Sequence, residues 1–250
     1  MDETVTTKIN ADIMLCEPKG GIRFGTDALL LAFFALKGTK KGICADLGTG
    51  SGVIPLLLLS SGSRAKFVCA EISEKYASCA ECNAKGNGFS DRMKVFCTDV
   101  RNTENYCAFG TADSVVTNPP YMRAECGKDN ALPDMSRARR DVCGGIKEFC
   151  VSASKILKNG GKFYAVYRPD RTAELLCSMR SCNIEPKRLR AVVPSVGQKP
   201  SLRLCEGKKD ANEGMVFEED LCIYSDTSHR EFSDTMKEIY KQFSEDKRAK

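Results

Sequence analysis

The sequence has few of the residues from which metal sites are usually built. It contains one histidine, His229, and one Cys-x-x-Cys pair, formed by Cys79 and Cys82. Zinc and iron–sulfur sites normally need a second cysteine pair or a pair of histidines. The sequence therefore predicts no bound metal ion.

Long hydrophobic runs are also missing. No stretch reaches the ~18 consecutive apolar residues that are typical of a membrane-spanning helix, and the first residues are acidic and polar, unlike a secretory signal. We therefore expect a cytoplasmic protein that does not associate with membranes. In that setting the 14 cysteines are not expected to form a disulfide framework. Several stand in apolar runs and are predicted to be small buried hydrophobic side chains: Cys44, Cys69, Cys97 and Cys222.

Positive charge is distributed unevenly along the chain. The formal net charge is +5, yet residues 1–117 are balanced, with 13 basic and 13 acidic side chains. Residues 158–203 hold ten basic and three acidic side chains. One basic region on an otherwise neutral background favours a polyanionic partner.

Hydrophobic periodicity predicts an alternation of strands and helices. The predicted strands are residues 43–47, 66–72, 93–98, 113–117, 163–167, 187–193 and 202–206. The predicted helices are residues 28–36, 53–60, 74–85, 142–157 and 171–181, with a charged amphipathic helix after residue 228. Such an alternation is typical of an α/β fold with a parallel sheet covered by helices on both faces. Gly20 and Gly21 suggest a hairpin or an extended arm before the first helix.

A glycine-rich loop, Asp-Leu-Gly-Thr-Gly-Ser-Gly, follows the first strand of this alternation. Its glycines, Gly48, Gly50 and Gly52, permit a tight turn and let a ligand lie against the backbone. The spacing differs from that of dinucleotide-binding loops, and the loop lacks the lysine of a P-loop. Asp46, directly before the loop, would repel a pyrophosphate but suits a ligand with an ammonium group, such as S-adenosylmethionine. A plain strand–helix turn would show the same pattern.

Two further acids end the next two predicted strands. Glu71 stands where α/β folds place a carboxylate on ribose hydroxyls, and Asp99 could accept a hydrogen bond from an adenine amino group. Either residue alone could be a strand-end cap. Together with Asp46 they are expected to face one crevice, because the carboxyl ends of parallel strands share a sheet edge.

The fourth predicted strand runs into Asn118-Pro119-Pro120-Tyr121. The prolines fix the backbone and remove two N–H donors, which leaves acceptors: the Asn118 side-chain oxygen and the Pro119 carbonyl. Two acceptors beside the aromatic face of Tyr121 suit an exocyclic NH2 group on a flat ring. Alone, the motif could be a proline-stiffened turn.

These motifs together resemble class I S-adenosylmethionine-dependent methyltransferases that act on amino nitrogens. The resemblance is closer to the bacterial family that methylates N6 of the adenine next to the anticodon of valine tRNA, and it runs from about residue 10 to residue 225. Blocks at residues 21–30, 157–161, 167–171 and 184–190 also look like blocks of that family.

The resemblance implies a Rossmann-like class I methyltransferase fold with a mostly parallel seven-stranded sheet. It implies an N-terminal arm and helix over residues 1–40, a methyltransferase domain over 41–226 and a helical tail over 227–250. The cofactor would be S-adenosyl-L-methionine, bound by Asp46, Gly48, Gly50, Gly52, Glu71 and Asp99. Asn118, Pro119 and Tyr121 would be catalytic.

The partner implied is tRNA, with the target adenine splayed out of a single-stranded loop, and the protein is expected to be a monomer. The basic side chains expected on the RNA are Arg123, Arg139, Arg140, Lys187 and Arg190. Two other functions remain open from the sequence. One is glutamine N5-methylation of release factors, because a glutamine amide also offers an NH2 group. The other is a non-catalytic RNA-binding module on a methyltransferase fold.

Overall fold

The strands and helices assemble around one large sheet. The computed structural model describes residues 4–10, 13–21, 24–120 and 145–244. The strands are β1 (Thr4–Lys8), β2 (Met14–Pro18), β3 (Ile43–Leu47), β4 (Lys66–Glu71), β5 (Met93–Cys97), β6 (Ala112–Thr117), β7 (Leu157–Tyr167), β8 (Ile184–Val193), β9 (Leu202–Lys209) and β10 (Val216–Cys222). The helices are α1 (Thr26–Ala35), α2 (Val53–Ser60), α3 (Glu74–Gly86), α4 (Ile146–Ile156), α5 (Thr172–Ser181) and α6 (Asp234–Ser244).

The main sheet has eight strands in the order β10-β8-β9-β7-β6-β3-β4-β5. Neighbouring strands are parallel except at β9, which is antiparallel to both β7 and β8. The predicted fold class, a mostly parallel sheet with helices on both faces, is thus confirmed. The sheet is one strand wider than the seven expected, because β10 pairs with β8 at one edge.

Two hydrophobic cores lie on the two faces of this sheet. On one face, α1 and α2 pack with apolar residues of the sheet, and Leu30, Leu31 and Leu57 are fully buried. On the other face, α4 and α5 cover the sheet, with Phe149 and Leu175 in contact with it. The strands between the helices are therefore apolar on both sides, as in other sheets that are covered twice.

The N-terminal strands form the predicted hairpin, but the chain reverses direction before the glycine pair. β1 and β2 are antiparallel, and the reversal between them is closed by hydrogen bonds from Ile9 N to the Ile13 carbonyl and from Ile13 N to Asn10 Oδ1. An asparagine side chain that bonds the backbone ahead of it supports such a turn without glycine. The side chains of Asn83 on α3 and of Asn87, directly after α3, hydrogen-bond to the β2 backbone.

The predicted buried cysteines divide into two groups. Cys44 and Cys69 on the central strands are fully buried, as expected. Cys97 is exposed and Cys222 is partly exposed, because they lie on the edge strands β5 and β10, where only one neighbouring strand covers them. Within the described ranges, no group of three or more histidine, cysteine, aspartate or glutamate side chains is arranged to hold a metal ion. None of the helices in those ranges has both the length and the apolar character needed to cross a membrane.

Candidate active site

The centre of the sheet places the two main motifs side by side. β3 and β6 are adjacent parallel strands, and the last residues of both, Leu47 and Thr117, are partners in register. The chain leaves β3 into the glycine loop and leaves β6 into the Asn-Pro-Pro motif, so the two segments begin about 4.8 Å apart. From β3 the chain continues to β4 on one side, while β6 lies on the other. This is a topological switch point, the place where open α/β sheets bind ligands.

The glycine loop uses its three glycines for different purposes. All three have positive φ: +72° at Gly48, +56° at Gly50 and +81° at Gly52. A Cβ at Gly48 would lie 3.3 Å from the Phe149 ring, and one at Gly52 would lie 2.4 Å from the Met93 side chain. A Cβ at Gly50 would meet nothing within 4 Å. Gly48 and Gly52 therefore allow close packing, whereas Gly50 faces open space at the sheet edge.

Asp46 is a fully buried carboxyl group beneath this loop. Its Oδ2 accepts a 2.6 Å hydrogen bond from the Thr49 hydroxyl, and its buried Oδ1 has no hydrogen-bond partner in the described part of the chain. The pKa of Asp46 is raised to about 7, mainly by burial and in smaller part by the nearby Glu71, while the Thr49 hydrogen bond opposes the shift. A buried acceptor without a donor is unfavourable in the free protein and is well suited to a cationic donor from a ligand.

Glu71 closes the loop from the neighbouring strand. Its Oε2 accepts a 2.9 Å hydrogen bond from Gly50 N, and its Oε1 accepts one of 2.9 Å from Ser73 N. Burial raises the pKa of Glu71, and these backbone bonds oppose the shift. The carboxylate is therefore fixed next to the open side of Gly50, and each oxygen keeps a lone pair for a further donor.

Asp99 is held differently, at the end of the edge strand β5. Its carboxylate pairs with the Arg101 guanidinium and accepts a 2.8 Å hydrogen bond from Arg101 N. The hydrogen bond from the Arg101 side chain is the main reason that the pKa of Asp99 is lowered. Asp46, Glu71 and Asp99 thus stand at the ends of three neighbouring strands, and Asp99 is the one already neutralised by a cation.

The nitrogen and the oxygen of the Asn118 side-chain amide have different surroundings. Its Nδ2 donates a 3.0 Å hydrogen bond to Asp27 Oδ2, and its buried Oδ1 has no hydrogen-bond partner among the residues that the structure describes. An ionised carboxylate can only accept hydrogen bonds, so the amide nitrogen must face Asp27 and the oxygen must face away. The Asn118 oxygen, which the sequence predicts as an acceptor, is therefore turned away from Asp27.

Pro119 is buried and Pro120 is exposed where the chain leaves the sheet. The other residues predicted to contact the substrate in this region lie outside the described residues: Tyr121, Arg123, Arg139 and Arg140. Two contacts at the site were not foreseen from the sequence, namely Asp27 on Asn118 and Thr49 on Asp46. The only signals in the sequence are an acid in the first turn of a very apolar helix and a hydroxyl three residues after an acid.

Lys187 and Arg190 are not brought together with these residues. Lys187 is near the start of β8, at the opposite edge of the sheet from the glycine loop, where it lines an open groove of about 490 Å³ with Lys208. Its Nζ donates to the carbonyl oxygens of Asn212 and Glu213. Arg190 lies three strands away from β6, and its Nε donates a 2.9 Å hydrogen bond to the Glu219 carbonyl. Their contact with RNA stays a prediction that concerns surfaces outside the crevice.

Comparison with known proteins shows the family to which the chain belongs. The model of a family described as the methyltransferase small domain matches residues 18–181. The chain belongs to this family. Its members take the methyl group from S-adenosylmethionine, so the predicted cofactor is confirmed at the level of the family.

Similar proteins agree with this assignment. A tRNA1(Val) (adenine(37)-N6)-methyltransferase of Porphyromonas gingivalis is 28% identical over 192 residues, 74% of each chain. A relative of the same name from Bacteroides thetaiotaomicron is 26% identical and covers 90% of this chain and 91% of its own. The crystal structure of a predicted O-methyltransferase from Agrobacterium tumefaciens superposes with a TM-score of 0.71 at 21% identity, over 87% of this chain and 97% of that one.

The described residues fit the methyl donor of this family. The unpaired Oδ1 of the buried Asp46 offers an acceptor for an ammonium group, and the open space at Gly50 lets a ligand approach the backbone. Glu71, fixed beside Gly50, is placed to accept from hydroxyl groups. The geometry at the carboxyl ends of β3 and β4 is thus compatible with such a donor.

Proposed function

We propose that this methyltransferase acts on the exocyclic N6 of an adenine in tRNA, next to the anticodon of valine tRNA. The observation that carries the proposal is the buried, unpartnered Oδ1 of Asn118, which stands beside the glycine loop and is followed by two prolines. An oriented acceptor in that place suits an NH2 group. The names of the relatives, which share about 28% identity, supply the RNA and the base.

The proposed chemistry needs acceptors rather than a base. The lone pair on an aromatic amine is delocalised into the ring, which makes the amine a poor nucleophile. The Asn118 side-chain oxygen and the Pro119 carbonyl would each accept one amine hydrogen and favour a pyramidal nitrogen, with its lone pair directed away from the ring. A bound donor would supply its methyl group to this nitrogen with the thioether as leaving group, and the resulting cation would lose its proton to solvent. Positioning and stabilisation of the developing positive charge supply the rate enhancement.

We assign the donor site to residues in or directly after β3, β4 and β5. S-adenosylmethionine supplies an electrophilic methyl group when bound. Asp46 would accept from its ammonium group, Glu71 from its ribose hydroxyls and Asp99 from its adenine amino group. Gly48, Gly50 and Gly52 would allow its close approach to the backbone. Support comes from the buried position of Asp46 and from the open side of Gly50.

The substrate side is proposed from the sequence motif. Tyr121 would stack on the target base after the base leaves its loop, as aromatic side chains do in the recognition of single-stranded RNA. Arg123, Arg139, Arg140, Lys187 and Arg190 would contact phosphates, which position the RNA without reading its sequence.

Replacement of Asn118 tests the proposal. Asn118→Ala should bind the methyl donor normally and lower the turnover of unmodified valine tRNA by about a hundredfold or more, the scale of a lost positioned polar group. Asn159→Ala, an exposed asparagine at the opposite edge of the sheet, is the matched control and should be fully active. Full activity of Asn118→Ala would remove the role of its amide in the reaction.

A second measurement separates the classes of substrate. The enzyme is incubated with labelled methyl donor and either total unmodified tRNA or a release factor with its Gly-Gly-Gln loop. Labelled N6-methyladenosine after digestion of the tRNA is the expected result. Label in the protein alone would show the glutamine methyltransferase instead, and donor binding without any transfer would show a non-catalytic module.

A further inference from the structure

The side chain of Asp27 is the only group shown to contact the Asn118 amide within the described residues. It stands in the first turn of α1, where its Oδ1 accepts a 2.9 Å hydrogen bond from Ala28 N and its Oδ2 accepts the 3.0 Å bond from Asn118 Nδ2. Both carboxylate oxygens are thus committed to donors. Negative charge is favoured at this end of a helix, so the carboxylate form suits its location.

The backbone just before α1 leaves room for the Asp27 carboxylate. The residue before the helix, Gly25, lies so close that a Cβ there would be 2.7 Å from Asp27 Oδ1. From Ala28 onward α1 is apolar and mostly buried, with Leu29, Leu30 and Leu31 in the core. Asp27 is therefore a single acidic side chain on a helix that is otherwise committed to packing, and it points at the Asn-Pro-Pro motif 91 positions later in the chain.

The chemistry of the pair fixes which end of the amide faces the substrate. A primary amide has nearly the same shape in its two flipped orientations, and only its hydrogen-bond partners decide between them. A carboxylate accepts and never donates, so it accepts only the NH2 end. The oxygen end must then face the site, where it lies buried without a partner. A neutral partner such as a second amide would allow both orientations.

We propose that Asp27 is the positioning and specificity-determining residue of the methyl-transfer site. It holds the Asn118 oxygen toward the substrate, so that the site accepts an exocyclic amine and rejects a carbonyl oxygen at the same ring position. This inference rests on the proposed function, in which Asn118 accepts from the target NH2 group. It adds a residue from α1 to a site otherwise built from the ends of strands.

Asp27→Asn tests the inference, because it keeps the shape of the side chain and removes its acceptor-only character. Its turnover of unmodified valine tRNA should fall about tenfold or more, while the affinity for S-adenosylhomocysteine changes less than threefold. Asp234→Asn is the matched control: it is the same substitution in the first turn of α6, at a fully exposed side chain, and should leave both values unchanged.

Competition by a keto analogue gives a readout that a purely structural role would not affect. Valine tRNA carrying inosine at the target position presents a carbonyl oxygen where adenine has its amine. It should compete poorly with the adenine-containing tRNA for the wild-type enzyme. The preference for the adenine RNA over the inosine RNA should shrink about tenfold in Asp27→Asn, since the amide can then turn its NH2 end to the substrate. An unchanged preference would overturn the inference.

Exchange of the Asp27 and Asn118 side chains tests whether activity can be restored. Asn118→Asp alone places two carboxylates against each other and should be nearly inactive. The double variant Asp27→Asn/Asn118→Asp restores one donor–acceptor bond and one oriented oxygen, and should regain at least about tenfold over Asn118→Asp. Full activity of Asp27→Asn beside an impaired Asn118→Ala would overturn the role of Asp27 and leave the proposed function standing. Full activity of Asn118→Ala would overturn both.

Discussion

At the scale of single residues, the buried carboxylate of Asp46 should lower the stability of the unliganded protein and strengthen the binding of a cationic ligand. Burial raises its pKa to about 7, far above the ordinary value in an unfolded chain of about 3.9. An acid whose folded-state pKa is raised contributes stability at low pH that is lost as pH rises through the folded-state pKa. The free energy of unfolding of the unliganded protein should therefore receive a falling contribution from Asp46 between about pH 4 and pH 7.

Asp46→Asn should separate these two effects. The variant should unfold at a higher temperature than the wild type at pH 8 without ligand, and the difference should shrink toward pH 5. Its affinity for the methyl donor should be weaker by roughly 1–3 kcal/mol, as for the loss of a charged hydrogen-bond partner. Wild-type affinity should rise between pH 6 and pH 7.5 as the carboxylate forms, more steeply than in the variant. Calorimetric titrations and thermal unfolding at each pH provide the measurements, and parallel pH profiles would contradict this account.

The sequence was most informative about which residues of the proposed donor site lie close together. Asp46, Glu71 and the glycines stand in one loop and at one strand end, so their proximity follows from the alternation of strands and helices. The contact between Asp27 and Asn118 could not be predicted in the same way. It joins residues 91 positions apart, and the orientation of an amide depends on whichever side chain the tertiary fold places against it.

At the scale of elements, the glycine loop should tolerate alanine differently at different positions. Gly52→Ala would place a methyl group 2.4 Å from the Met93 side chain at a φ of +81° and should destabilise the fold most. Gly50→Ala has only the strain of its positive φ, about 1 kcal/mol, and should instead weaken binding of the methyl donor, because its Cβ projects into open space at the site.

Gly88→Ala serves as the control for backbone strain. Gly88 follows α3 with a φ of +74°, and a Cβ there would also meet nothing within 4 Å. Its loss in the free energy of unfolding should match that of Gly50→Ala, while donor affinity stays at the wild-type value. Denaturant unfolding and calorimetric titration of the three variants test the assignment. Equal donor affinity in Gly50→Ala and Gly88→Ala would place the ligand away from the loop.

The strands differ in how well the hydrophobic pattern of the sequence predicts them. The central strands β3, β4 and β6 are short apolar runs and match the prediction within one residue, whereas β7 begins six residues before its predicted start at residue 163. β10 was missed, since Glu218, Glu219 and Asp220 interrupt its apolar residues. An edge strand with one exposed side needs no hydrophobic pattern, and here charge also protects the edge from pairing with other chains.

The pairing of Arg188 with Glu206 and Glu218 links β8 to both β9 and β10.

At the scale of the whole molecule, much of the basic region, residues 158–203, is paired with acids, some of its own and some from elsewhere in the chain. Six of its ten cations form ion pairs in the fold: Lys158, Lys162, Arg168, Arg171, Arg180 and Arg188. Several partners lie outside the region, such as Asp113 on β6 and Glu206 on β9. Counting charges along the chain therefore overstated the positive surface, because the sheet brings together strands that are far apart in sequence.

Residues 122–140 follow the Asn-Pro-Pro motif in the sequence and hold five basic and three acidic side chains, which makes them our main candidate for RNA contact. Each phosphate contact releases counterions, so the logarithm of RNA affinity should fall against the logarithm of salt concentration by about 0.7 per single-strand contact. Reversal of charge in the variant Arg139→Glu/Arg140→Glu should weaken RNA binding and make this slope shallower by roughly 1–1.5. Donor affinity should not change.

Lys187→Glu tests how far the RNA extends over the protein. Since Lys187 lies at the opposite edge of the sheet from Asn118 and lines a separate groove, its reversal should change the salt slope less than the Arg139→Glu/Arg140→Glu variant does. Both variants should still produce N6-methyladenosine, only more slowly, because phosphate contacts position the RNA and Asn118, Pro119 and Tyr121 would select the base. Binding measured from 50 to 300 mM salt gives the slopes. A larger change in Lys187→Glu would mean that the RNA crosses the sheet to its far edge, and a different methylated nucleoside would mean that charge takes part in choosing the base.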